Sequence, residues 1–401
     1  MAGRVAPPAA GGYPAAFRAL VISSAQAMLR LAQQANPVLA AGDREQVLHV
    51  LGYALALPEA WPVTRELLLC LAPQMEQAGL RDEWAPFMER GISLSTQNAD
   101  HSAYAELNLH LGFLYRLHGK WDDALHRLQL SAHEYALVGN LNQQAKAMSR
   151  ASFVLRLQGD LEAAGGLVGQ AQALCEPNSE ANASCHSVQG ALALDKREWH
   201  TAQKHFEQAL QLWRHYGNKR MIAWSLGDLG ICHKMLKQFA DSLATLRAAI
   251  NMFQDIQDPI QMAVTQMHLG LVYTDLDQYH ESLALYASAE RTFLRSHDSL
   301  RLAMLENNRG FAYKNLENWT QAEIAYQKSI ELWKPLQDTY SLANVLDGLG
   351  VVYLSQGINQ KAIQVFEEAL QVLSQTKVIA DQGYLQAMIR KHLDLAHAGL
   401  L

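Results

Sequence analysis

Sixteen histidines and four cysteines are the residues of this chain that first invite a chemical reading. The histidine pairs His126/His133 and His200/His205 could offer imidazole nitrogens to a metal, but no recurring ligand spacing surrounds them, and packed or solvated helix histidines explain them better. Cys70, Cys175, Cys185 and Cys232 form no CxxC pair, which speaks against a disulfide scaffold and against a thiolate zinc site. Cys175 and Cys185 flank one loop and could come close in space, although free thiols are expected in a reducing compartment. The chain holds no GxxxxGK[ST] phosphate loop, no GxGxxG after a strand, no GxSxG elbow and no HExxH pair. Strand candidates are absent as well. The expectation is a protein that is not an enzyme, with no cofactor and no metal centre. An enzyme hidden among helices would need a convergent acid/base or metal cluster that the sequence does not display.

Composition narrows the partners. The 401 residues are 49% hydrophobic and 18% charged, with 33 Lys+Arg against 39 Asp+Glu for a formal net charge of −6. A mildly acidic chain without a basic tail argues against nucleic acid and against polybasic docking to a membrane. No apolar run approaches the roughly 20 residues that a bilayer requires. Residues 1–13 are rich in Ala, Gly and Pro without the apolar core of a signal peptide, so a loose, disordered tail and a cytoplasmic protein are expected.

What could position a binding site is a repeat. Gly112, Gly190, Gly230, Gly270, Gly310 and Gly350 are the anchors of one register, at steps of forty from Gly190 onward, with Ser152 in the vacant slot and a two-residue deletion before Gly190. Seven residues before each anchor stands alanine: Ala105, Ala145, Ala183, Ala223, Ala263, Ala303 and Ala343. Twelve after come Ala124, Ala164, Ala202, Ser242, Ser282, Ala322 and Ala362; sixteen after come Leu128, Val168, Phe206, Leu246, Tyr286, Tyr326 and Phe366. Within 263–276 and about 279–296 apolar residues recur every three or four positions, so each unit predicts two antiparallel amphipathic helices. Turn residues fall at fixed places: Gly139-Asn140, Gly217-Asn218, Asp258-Pro259, Asp298 and Asp338 suit helix ends and caps.

These residues resemble a known family. Leu-Gly-x-x-Tyr at 111–115, 269–273 and 349–353, followed by Ala-x-x-x-Phe/Tyr at 202–206, 322–326 and 362–366, is similar to the tetratricopeptide repeat. The unit is forty residues instead of thirty-four, the family's tryptophan in the first helix is missing, and its closing proline is missing or displaced. Longer units of this kind resemble those of kinesin light chains, Pins/LGN adaptors and bacterial repeat sensor modules. The resemblance implies an all-α fold, an α-solenoid wound as a right-handed superhelix of antiparallel helix pairs. The expected organisation is a helical cap over 14–62, then about eight repeats over 63–380 (63–102, 103–142, 143–180, 181–220, 221–260, 261–300, 301–340 and 341–380). A capping helix over 381–401 would close the array, its apolar side including Tyr384, Leu385, Met388, Leu393 and Ala396. In 143–180, Gly165, Gly166 and Gly169 weaken the second helix; drift in a tolerant array and a flexible joint are both compatible with them.

In the family, the first helix of each pair lines a concave groove, and the resemblance carries that face onto columns of this sequence. Arg116, Lys146, Arg150 and Arg156 concentrate positive charge in its N-terminal half, beside Phe113, Phe153 and Trp224. Farther along, Asn307, Asn308, Asn315 and Asn344 accompany Phe311 and Lys314; an asparagine amide can hold a peptide backbone through both a donor and an acceptor. Asn308 matches a position that binds peptide backbone in several such families. The two-carboxylate clamp of chaperone-binding repeats is not reproduced. The expected function is a non-enzymatic scaffold or adaptor that binds an extended, partly acidic peptide or protein segment in the groove, with no nucleic acid and no membrane involved. The alternative is a peptide-sensing regulatory module of a bacterial signalling system, acting through a separate effector chain.

Overall fold

The computed structural model describes residues 13–35, 38–79, 81–375 and 382–399. The expected tail, apart from Tyr13, and the junction 376–381 lie outside the described residues. Among the described residues the fold is all-α: nineteen α-helices and one 3-10 turn, with no strand. In order they are α1 (Ala15–Gln34), α2 (Ala41–Ala54), α3 (Trp61–Gln77), α4 (Arg81–Gln97), α5 (His101–Leu117), α6 (Trp121–Leu137), α7 (Leu141–Leu157), α8 (Leu161–Leu174), α9 (Glu180–Asp195) and α10 (Trp199–Tyr216). Then follow α11 (Lys219–Met235), α12 (Phe239–Asp255), α13 (Pro259–Asp275), α14 (Tyr279–Arg295), α15 (Ser299–Asn315), α16 (Trp319–Leu336), α17 (Thr339–Ser355), α18 (Asn359–Ser374) and α19 (Gln382–Ala398). Among the described residues no helix is long and apolar enough to cross a membrane.

Caps and turns set the rhythm. The side chains of Asn140, Asn218, Asp298 and Asp338 each accept a hydrogen bond from the backbone N–H three residues on, as do Asp100, Asp160, Ser179 and Asn318. Each such cap contributes about 1 kcal/mol. Helix ends are closed by a left-handed residue every twenty positions, from Gly79 through Ala99, Gly119, Gly139 and Gly159, and again from Arg197 to Gly357. The step fails after α8. Its C-cap, Cys175, leaves the helix extended (φ −76°, ψ 143°), and α8 is 14 residues long where most of its counterparts have 17. The three glycines of α8 do not break it.

The repeat columns have a packing cause. All seven alanines of the first column are fully buried, and so are the Ala/Ser residues twelve after the anchor. The anchor glycine exists because the side chain sixteen residues on lies against it: a Cβ would stand 2.6 Å from the Phe206 ring at Gly190, 2.7 Å from Tyr326 at Gly310 and 2.7 Å from Leu128 at Gly112. Where Ser152 replaces glycine the facing side chain is the smaller Val168, and the Ser152 hydroxyl donates to the Ala164 carbonyl at 2.7 Å.

The chain divides into two compact units, one of residues 1–236 with 251–259 and one of 237–250 with 260–401. In the first, successive helices pack as antiparallel neighbours from α5 to α11, and α1 packs on α2 and α3 under Leu29, Val47 and Leu51. In the second, α14 to α19 pack in the same serial way. Leu385, Ile389 and Ala396 of α19 cover the last apolar face. Tyr384, expected on that face, is 68% exposed, because the buried stripe runs 385–389–396 and turns position 384 outward.

Candidate functional site

In the first unit the odd-numbered helices α5, α7 and α11 bring together the expected cationic and aromatic residues. Phe113 stacks on Trp224 with ring centroids 5.8 Å apart. The Arg116 guanidinium lies 4.3 Å from the centre of Phe113, 4.7 Å from Phe153 and 5.9 Å from Trp224. Arg150 stands 5.0 Å over Phe113 and Arg156 5.1 Å over Phe153. Desolvated cation–π contacts of this kind contribute about 1–2 kcal/mol each.

Carboxylates from other columns answer the positive charge. Arg156 holds Asp195 through two hydrogen bonds, the second at 2.9 Å. Lys146 reaches Glu180 at 3.6 Å. Arg220, which lies outside the columns compared in the sequence, bridges Glu76 and Asp258 at 2.8 Å each. Burial alone would raise the Glu106 carboxyl, yet His110, the Tyr135 hydroxyl and Lys146 together hold it down at about 2. For Asp228 burial wins over Arg156 and Arg116, and its carboxyl is pushed up to about 7. Burial also lowers the Arg150 guanidinium against the pull of Glu76 and Glu106, and its Nη1 is buried without an acceptor. The N-terminal cluster is therefore a network largely neutralised within the chain. A count of cations along one face misses the acids because they sit on neighbouring helices and at turns.

The second unit presents a different surface. Phe311 and Met304 of α15 are 43% and 41% exposed. Asn307 and Asn308 are half-buried beside them, and Asn344 lies exposed on α17, the next first-position helix. The side-chain amides of these three asparagines make no hydrogen bond to another described residue. Asn315, by contrast, donates to the Phe311 carbonyl at 2.7 Å, within its own helix. Lys314 sits 4.6 Å over the Phe311 ring. Burial lowers the Lys314 ammonium, opposed by Asp347, whose carboxylate is itself bonded by His392 at 2.8 Å. Met304 and Asp347 fall in the groove-facing columns of the register, but the exposure of the one and the His392 partner of the other, which comes from α19 outside the repeats, are visible only in the structure.

Elsewhere, His186 and His205 face each other with Nδ1 atoms 3.2 Å apart, and burial lowers both rings. Among the described residues no group of three His, Cys, Asp or Glu side chains is placed to hold a metal ion.

With the helix pairs, anchor glycines and first-helix face in view, the tetratricopeptide repeat family matches at residues 187–255 and 301–375. Those two stretches carry the repeat of that family. No curated protein matches this repeat protein. Among solved structures it is similar to a signal transduction ATPase with a tetratricopeptide repeat sensor from Pyrococcus horikoshii: 14% identity, TM-score 0.59, over 90% of this chain but only 55% of that longer one. A Rap protein complexed with competence and sporulation factor aligns at 12% identity and TM-score 0.54, over 96% of this chain and 98% of that one. The APC/C hetero-tetramer Cut9–Hcn1 aligns at 16% identity and TM-score 0.60, over 95% and 69%. At these identities the likeness is one of fold.

Proposed function

We propose that this repeat protein is a non-enzymatic interaction module that holds an extended peptide or protein segment against the first-helix face of its second unit. The observation that carries the reading is the contrast between the two faces. Arg116, Lys146, Arg150, Arg156, Phe113, Phe153 and Trp224 are spent on one another and on nearby carboxylates. Phe311 and Met304 stay exposed on the helix that carries the uncommitted amides of Asn307 and Asn308, and the amide of Asn344 on α17 is likewise uncommitted. An extended segment would place an apolar side chain on Phe311 and Met304, exchange backbone hydrogen bonds with the asparagines, and set an acidic side chain by Lys314.

The test is selection of peptides from a displayed random library on the intact protein, followed by fluorescence polarisation with variants. Phe311→Ala and Asn308→Ala should each weaken a selected peptide about tenfold or more, the weight of a hot-spot residue. Unchanged affinity in both would remove the second-unit face as the binding surface.

A second reading, a peptide-sensing regulator acting through a separate effector chain, is supported by two of the similar folds. One is a sensor part of a signalling ATPase and another is bound to competence and sporulation factor. A short secreted peptide encoded beside this chain, and binding of that peptide to the face above, would favour sensing over scaffolding.

A further inference from the structure

We propose that Cys175 and Cys185 form a reversible thiol–disulfide site, oxidised by a small-molecule disulfide and closing the loop between α8 and α9. The two sulfurs lie 3.8 Å apart, so a bond of about 2.05 Å needs an approach of roughly 1.8 Å, within reach of side-chain rotation at a helix end. They occupy the one junction, between Gly79 and Gly357, where the twenty-residue series of left-handed turns is interrupted. Cys175 caps α8 in an extended conformation, its thiol bonded to the Ala171 carbonyl, to Ser179 and to Cys185, and its backbone N–H to Gln172. Cys185 is fully buried on the second turn of α9.

Accessibility orders the steps. Cys175 is half-buried and Cys185 is sealed, so Cys175 meets the oxidant first. Its thiolate attacks one sulfur of the small disulfide RSSR, the S–S bond breaks, and one RS⁻ leaves and takes the proton that Cys175 lost. The Cys185 thiolate then attacks the Cys175 sulfur of the mixed disulfide and expels the second RS⁻, which takes the Cys185 proton. The protein loses two electrons and two protons, and RSSR becomes two RSH. Burial pushes both thiols up, so the reaction is slow at neutral pH and quickens about tenfold per pH unit while the thiolate fraction grows.

Oxidised glutathione is the probe, applied to the intact protein at pH 8, quenched in acid and alkylated under denaturing conditions. Two of the four cysteines should become resistant to alkylation and return on reduction. Proteolysis after Glu180 separates the two sites in sequence, so a linked peptide pair identifies the bond. Cys185→Ser should stop at a glutathione adduct on Cys175. Cys175→Ser, a change at the half-buried end that leaves the core intact, should keep all three remaining thiols free. Four free thiols in the wild type, a stable adduct without the internal bond, or a link involving Cys70 or Cys232 would each overturn the proposal.

Discussion

Charge pairing decides the fate of single residues here. Arg309 shows it outside the binding face: its two guanidinium nitrogens hold Glu306 at 3.0 Å and Glu290 at 2.7 Å. Glu306 is only 4% exposed, and burial raises its carboxyl against the pull of Arg309. Removing the arginine strands that acid, which costs about 3–5 kcal/mol, whereas the pair itself contributes little beyond its desolvation. Arg309→Ala should therefore lower the denaturant midpoint of the second unit markedly, and the double variant Arg309→Ala/Glu306→Gln should recover much of the loss. Equal loss in both would show that packing, not the stranded charge, is responsible. The same logic explains why the basic stretch was legible in the sequence while its neutralisation was not. Arg116, Lys146, Arg150 and Arg156 share one helix face and can be counted by register. Asp195, Glu180, Glu76 and Asp258 come from helix ends and a distant helix, and only the superposition of repeats brings them near.

At the scale of the element, the register was readable because steric demand recurs: the rings of Phe206, Tyr286, Tyr326 and Phe366 require glycine at 190, 270, 310 and 350, and Leu128 does the same at Gly112. The left-handed turn positions were only half legible. Gly119, Gly139 and Gly357 announce themselves, but Lys237, Asp277 and Glu317 adopt the same conformation with side chains that disfavour it. Glu317 has φ 55° and is exposed at the α15–α16 turn. Relieving left-handed strain gains about 1–2 kcal/mol, and the added freedom of glycine in the unfolded chain takes back about 0.5–1. The strain term is the larger. Glu317→Gly should raise the melting temperature, while Gly357→Glu, the reverse exchange at the equivalent turn, should lower it. Calorimetry of the pair checks both signs.

For the whole molecule, repeat arrays unfold by local units, so a stability measurement needs a probe that reports one of them. Six of the eight tryptophans, at 61, 84, 121, 199, 213 and 224, lie in the first unit, so tryptophan fluorescence reads mainly that one. Two acids on its first-helix face tilt its stability in opposite directions. Glu106 is held at about 2 in the folded chain against 4.5 in the open one, so its contribution is complete above about pH 4.5 and is lost as pH falls toward 2. Asp228 is raised to about 7 against 3.8. Between those values the folded chain keeps a proton that the unfolded chain has released, so stability declines as pH rises from about 4 to 7 and the loss is complete above it. Together the two acids place the best stability of this unit in mildly acidic solution, near pH 4–5. Asp228→Asn cannot ionise, and at pH 8 it should stabilise the first unit by on the order of 3 kcal/mol while flattening the decline between pH 4 and 7. Denaturation followed by tryptophan emission across that range decides it: a slope unchanged in the variant would mean that Asp228 is ionised well below neutrality, with Arg116 and Arg156 outweighing its burial.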